Sequence, residues 1–311
     1  ESVARVRHWR AHHKAVSVTW DDAYQLLGRD DGNQAYKFWG DGQVDIVHQS
    51  GVQYTKSLEQ HPLEQFKAAL RGTSGGICPS RILCEDWQFF APMWYIPNYI
   101  DSNRYLAARR VVAPDPDYIT IGYGSSLSHL PSFLKSGVME ALRRVFRRSW
   151  DGKKLRFVLA GDKRVYDLLP IAPAQKIYQP YVRWSDWPSV LGRFDITIAP
   201  MVGRYDASRS HIKLIEAATM GIPVVASPSP AYKDWMDAEI GMYVCGDGGD
   251  EGGEKERAES WEERLIAVIS RLEYYRDEMK LARVQDFAAT WDIAVGVPKI
   301  ERVYQEIIGR G

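Results

Sequence analysis

Cysteine is scarce: 311 residues hold three, Cys78, Cys84 and Cys245. Their spacing matches no metal-ligand pattern and no disulfide framework, which excludes a cross-linked secreted scaffold and a cysteine-based metal centre. No apolar run approaches the roughly 18 residues of a membrane-spanning helix, and no signal-peptide pattern is visible. These absences predict a cytoplasmic protein in a reducing compartment. Net charge is missing too, since 40 Lys and Arg balance 40 Asp and Glu, which argues against a nucleic-acid binder that relies on bulk charge. No Ser-His-Asp or Cys-His arrangement can be assembled. His8, His12 and His13 lack the partner spacing of a metal site and read as solvated surface.

What is present is ordinary for a globular chain: 45% hydrophobic and 26% charged residues, with length for two domains. Eleven Trp and 17 Tyr are many. They predict core and interdomain packing, with sugar stacking as the alternative. After a basic opening, residues 15–20 alternate like a strand ending at Asp21-Asp22. Residues 23–55 look partly loop-like, 57–71 helical, and 75–80 and 93–96 strand-like. Beyond a linker at 112–116, strands are predicted at 118–123, 155–160, 176–178, 196–200, 222–226 and 242–245. Helices between and after them fall at about 131–149, 163–169, 186–193, 209–220, 229–238, 259–271 and 273–287. This alternation predicts a doubly wound parallel sheet with its site at the C-terminal strand ends. Residues 246–254 read as a mobile Gly/Asp/Glu loop. A last helix over 292–308 contains Pro298, which should kink it or start its second half.

The most informative stretch runs from Ser208 to Ser227. Ile212, Leu214, Ile215, Ala218 and Met220 give an apolar helical face, Gly221 fits the position past a helix end, and 222–226 form a strand. Ser208, Arg209, Ser210, His211 and Lys213 crowd the helix start, where free N–H groups and the positive dipole end suit an anion. Glu216 follows about one turn after Lys213. Spacing alone serves equally an amphipathic helix with a Lys213–Glu216 surface pair. Gly122-Tyr123-Gly124-Ser125-Ser126-Leu127-Ser128-His129 lies between a strand and a helix, so its small residues would let backbone N–H groups approach a phosphate. A capping Ser128 beside a surface His129 is the plainer reading. Asp162 reads as a helix cap. Arg143, Arg144, Arg147 and Arg148 read as one helix face, solvated or drawn to an anionic membrane or acceptor.

Several segments, in order, resemble the retaining, family 4 type glycosyltransferases of the GT-B fold (glycosyl transferases group 1). The resemblance covers about residues 74–308. It rests on Cys78-Pro79-Ser80, Ile96-Pro97-Asn98-Tyr99-Ile100-Asp101, Phe157–Asp162, Lys176–Val182, Phe194–Pro200, and above all the helix carrying Glu216 that runs into Gly221-Ile222-Pro223-Val224-Val225-Ala226. It departs at Tyr99, where the family usually has Gly, and at Ser208, where the family has a first glutamate eight positions before Glu216. The phosphate-binding Arg and Lys of the family loop are replaced by Ser125, Ser126 and His129.

The resemblance implies an α/β fold of two Rossmann-like domains. These are a short acceptor-side domain over 1–114, a nucleotide-sugar-binding domain over 115–290, and a C-terminal helix over 291–311 packing back on the first domain. It implies transfer of a sugar from a UDP- or GDP-sugar, retaining and without a bound metal or other cofactor. Glu216 would hold the ribose, and backbone groups at Tyr181 and Val182 would read the base. Gly124, Ser125, Ser126, Ser208 and Ser210 would complete the donor site. The leaving diphosphate needs cations, for which Arg209, Lys213 and His129 are the candidates, with Arg204 and His211 behind them. Glycan, lipid-linked sugar, protein, small molecule and modified nucleic acid are all open as acceptor, and peripheral membrane contact is compatible. The first domain is short for this fold, so a fragment and an unusually small transferase are both open. Two other functions remain: a non-catalytic nucleotide-sugar-binding scaffold subunit, and a sugar-nucleotide epimerase.

Overall fold

The computed structural model describes residues 2–29, 35–48, 50–112, 115–150, 152–236, 241–243 and 253–309. The expected linker at 112–116 lies partly outside these residues, and the loop at 246–254 almost wholly so. The chain forms two compact units: residues 1–97, 208–210 and 297–311, and residues 98–207 and 211–296.

The first unit holds a three-stranded parallel sheet of β1 (Ser17–Thr19), Gly75–Cys78 and Met93–Tyr95, and an antiparallel hairpin of β2 (Gln43–Val47) and β3 (Gln53–Ser57). In the sheet, β4 (Gly75–Cys78) is central and β5 (Met93–Tyr95) lies on its other side. Trp20, Phe66 and Trp87 meet edge to face in the core. Gly76 is small because Trp20 and Met93 close over it: a Cβ there would lie 2.7–2.8 Å from their side chains. The hairpin falls where a loop-like segment was expected. Its β3 is exposed throughout, so it lacks the half-buried alternation by which a strand is recognised. The basic opening is a helix, Ser2–Ala11.

The second unit is a six-stranded, all-parallel sheet. Its strands are β6 (Tyr118–Ser125), β7 (Lys154–Gly161), β8 (Lys176–Gln179), β9 (Ile196–Ala199), β10 (Val224–Ala226) and β11 (Gly241–Tyr243). Their order is β8-β7-β6-β9-β10-β11. The first three strands run outward to one side and the next three to the other, so the order reverses between β6 and β9. Such a switch point opens a crevice at the carboxyl ends of the strands. Helices cover both faces. Tyr123, Phe157 and Leu159 pack with Phe133, Leu142, Trp261 and Leu265 on one. Val158, Ala160 and Phe194 pack with Leu214, Ile215 and Trp235 on the other.

The division at Pro97 precedes the expected boundary at 114 because the helix Ser102–Val111 belongs to the second unit. Its Tyr105 is buried in that unit's core and hydrogen-bonds to Glu216. The last helix, Ile293–Gly309, continues through Pro298; its residues from Val297 group with the first unit, where Trp94 Nε1 donates to Glu306. No helix among the described residues is long and apolar enough to cross a membrane.

Candidate functional site

The crevice at the switch point is an open cleft of about 800 Å³ in the second unit. It is lined from the ends of β6 (Gly124, Ser125, Ser126, His129), β7 (Ala160, Gly161) and β8 (Pro180, Tyr181, Val182). Tyr105, Trp187, Ile212, Lys213 and Glu216 form the wall opposite, and Arg104 and Trp184 also line it. Apolar walls with a few convergent polar groups are what a small-molecule site needs.

The strand β6 runs two residues further than the sequence pattern predicts, so Gly124 and Ser125 belong to it with Gly122. A Cβ at Gly122 would lie 2.1 Å from the Phe194 ring, and one at Gly124 2.6 Å from the Trp187 ring. The two glycines therefore let aromatic side chains lie on the sheet; the expected room for a phosphate begins only at Ser125 and Ser126. Gly161 ends β7 at φ +110°, with Ser125 O where its Cβ would be. Asp162 caps the next helix, as expected, by accepting from Arg164 N at 3.0 Å.

His129 is half-buried, and its Nδ1 accepts from Ser126 N at 2.8 Å. A neutral imidazole accepting at Nδ1 carries its proton on Nε2. The loop thus fixes the tautomer of His129 instead of leaving a surface ring.

The helix from the organising stretch is Ile212–Met220, ended by Gly221 in the left-handed conformation at φ +66°. It starts three residues later than predicted, with His211 as its N-cap. Arg209 and Lys213 are therefore not one turn apart on a common helix face. Lys213 Nζ donates to Gly124 O at 2.5 Å and lies 4.5 Å from the centre of the Tyr123 ring. Glu216 makes no surface pair. Its Oε1 accepts from the Tyr105 hydroxyl at 2.6 Å. Burial raises the pKa of Glu216 above the ordinary carboxylate value, opposed by the Tyr105 hydrogen bond and by the charge of Lys213. Burial, with the Glu216 charge, pushes the Tyr105 phenol well above its usual range.

The structure thus brings eight of the expected donor-site residues into one cleft: Gly124, Ser125, Ser126, His129, Tyr181, Val182, Lys213 and Glu216. Ser208, Arg209 and Ser210 do not line it; they group with the first unit, where Arg209 Nη2 lies 4.0 Å from Asp22 Oδ1. Arg204 is exposed outside the cleft. His211 is buried against Trp291 and Trp235, and burial holds its pKa down to about 4. It is a neutral core residue and no phosphate ligand. Of the four arginines, Arg143 and Arg144 bind Glu140, and Arg144 and Arg148 bind Glu262. Arg147 and Arg148 lie past the helix Val138–Val145.

Sequence reasoning missed Tyr105 and Arg104. They sit on a helix assigned to no site, and nothing local marks them. The Arg104 guanidinium stacks 3.8 Å from the centre of the Trp184 ring, which is 80% exposed. Of the two tryptophans that line the cleft, Trp184 is exposed, while Trp187 packs on Phe194 and Gly124.

Residues 134–271 match the model of the family "Glycosyl transferases group 1". That segment is similar to the group 1 glycosyl transferases, and the chain has the GT-B fold. No curated protein matches the chain. Among solved structures it is similar to HepE from Anabaena in complex with UDP and glucose, at 16% identity and a TM-score of 0.55, covering 78% of this chain and 66% of HepE. It is similar to the pneumococcal O-GlcNAc transferase GtfA in complex with UDP and GlcNAc, at 13% identity and a TM-score of 0.56, covering 98% of this chain and 55% of GtfA. WaaG, a glycosyltransferase involved in lipopolysaccharide biosynthesis, is similar at 16% identity and a TM-score of 0.55, covering 93% of this chain and 78% of WaaG. At these identities the likeness is one of fold. The chain spans 66% and 55% of the length of HepE and GtfA.

Proposed function

We propose that the chain transfers a sugar from a UDP-sugar to an acceptor, with retention at the anomeric carbon and without a bound metal ion or other cofactor. The observation that carries this reading is the placement of Glu216, Lys213 and the Ser125–His129 loop around one cleft at the switch point. Glu216, fixed on its wall, holds the ribose hydroxyls. The start of the helix Ile212–Met220 faces the diphosphate, where its free N–H groups favour an anion, and Ser125 and Ser126 line the cleft with it. As the bond from the anomeric carbon to the phosphate oxygen breaks, that oxygen gains charge. The Lys213 ammonium and the His129 Nε2–H are the donors that stabilise it. The released phosphate oxygen takes the proton of the acceptor hydroxyl on the same face of the sugar. UDP is the nucleotide to test first, because HepE and GtfA, which share the fold, were solved with it.

Calorimetry of UDP against wild type and Glu216→Ala tests the donor site. The expected result is specific UDP binding that weakens by about 1.5–3 kcal/mol in the variant, the value of a hydrogen bond to a charged group. Unchanged affinity removes Glu216 from the site. A second reading, nucleotide-sugar binding without transfer, is favoured by Ser208 at the place of the family's first glutamate and by the grouping of Arg209 with Asp22. Release of free sugar from UDP-sugars on prolonged incubation supports the transferase. Tight binding with neither hydrolysis nor transfer supports the second reading.

A further inference from the structure

The carboxylate that faces the cleft is not held by its own helix. Tyr105 reaches it from the helix Ser102–Val111, with a ring 8% exposed in the second unit's core and a hydroxyl 2.6 Å from Glu216 Oε1. Trp187, on the helix Trp187–Leu191, lines the cleft with Glu216. We infer that Tyr105 is the positioning residue of the donor site: its hydroxyl orients the Glu216 carboxylate so that the remaining acceptor positions point at the ribose hydroxyls of a nucleotide. This rests on the proposed nucleotide-sugar function and adds to it the group that selects for a ribose.

The chemistry requires such a group. An ionised carboxylate has about four acceptor sites and no donor of its own. A glutamate on a flexible stem, facing an open cleft, would otherwise sample several rotamers and lose affinity by ordering only when ligand arrives. A donor from a separate, packed helix removes that freedom beforehand. It also opposes the protonation that burial favours, since a hydrogen bond to the charged form favours that form. The charged and titratable groups facing Glu216 are Tyr105 on the neighbouring helix and Lys213 on its own.

The test is Tyr105→Phe, which keeps the ring and removes one oxygen, measured by calorimetry with UDP and with 2′,3′-dideoxy-UDP. Wild type is expected to bind UDP more tightly than the dideoxy analogue. In Tyr105→Phe, UDP binding should fall about tenfold, equivalent to about 1.4 kcal/mol, while dideoxy-UDP binding stays unchanged, because that ligand offers Glu216 no hydroxyl. Tyr105→Phe should add no further loss to Glu216→Gln, because the two side chains act as one unit. Loss of Glu216 ionisation on acidification should begin at higher pH in Tyr105→Phe, since the donor that favoured the charged form is gone. Equal weakening of both ligands, or unchanged UDP binding, overturns the inference and leaves the donor site standing. Equal binding of UDP and dideoxy-UDP by wild type, or no binding of either, overturns the ribose contact itself and the inference with it.

Discussion

Gly161→Ala is the sharpest perturbation of the cleft floor. The residue lies at φ +110°, where a side chain is strained by about 1–3 kcal/mol. Its Cβ would fall 2.0 Å from Ser125 O, a backbone atom, where real Cβ contacts are essentially never under 3.0 Å. Ser125 and Gly161 are register partners at the ends of β6 and β7, so relief requires the two strand ends to part. Parting them breaks the hydrogen bond from Asp162 N to Ser125 O, 3.2 Å, and an unsatisfied buried carbonyl costs about 1–3 kcal/mol. The two effects together predict a destabilisation of about 2–6 kcal/mol. For a unit of this size, with roughly 2–4 °C of Tm per kcal/mol, the melting temperature should drop by about 4–24 °C. Gly152→Ala is the control. It has φ +79° and nothing within 4 Å of the added Cβ, so only the conformational cost of about 1–2 kcal/mol applies. Thermal unfolding of both variants, with UDP binding measured below the transition, is the assay. Gly161→Ala should unfold well below Gly152→Ala and bind UDP more weakly, since Ser125 and Ser126 move with the strand end. Equal melting temperatures for the two variants would refute the reasoning.

Lys213→Met should weaken UDP by about tenfold, the loss of one charge-assisted contact, and leave uridine binding unchanged; equal weakening of both would place Lys213 away from the diphosphate. His211 makes stability acid-sensitive. Its folded pKa of about 4 lies below its ordinary 6.5, so between those values the unfolded chain binds more protons. The stability its neutral form contributes is present above pH 6.5 and is lost as pH falls toward 4, amounting to about 3 kcal/mol. Denaturant unfolding from pH 7 to pH 4 should show this slope in wild type and a shallower one in His211→Gln. An identical slope in the variant would assign the acid sensitivity elsewhere.

Much of this molecule is written locally. The parallel alternation of the second unit follows from short apolar strands and intervening helical periodicity, and Gly221 ends its helix because only glycine takes φ +66° there without strain. Six of the eight cleft residues were reachable because a strand-end loop and a helix start carry local chemical signals, small polar residues in one and a Lys–Glu turn in the other, whereas Tyr181 and Val182 came only with the family resemblance. The rest depended on which element lies beside which. Sequence spacing put Arg209 and Lys213 on one helix face, but the chain is not helical until Ile212, so Arg209 groups with Asp22 while Lys213 turns to Gly124 O. Gly122 and Gly124 looked like a phosphate loop because a glycine records only that a side chain is absent. The tertiary structure supplies the reason, two aromatic rings lying where those side chains would be. Tyr105 was invisible for the same kind of reason: it lies 111 residues from Glu216 in sequence, and no local pattern encodes a hydrogen bond between two helices that only the packed sheet brings together.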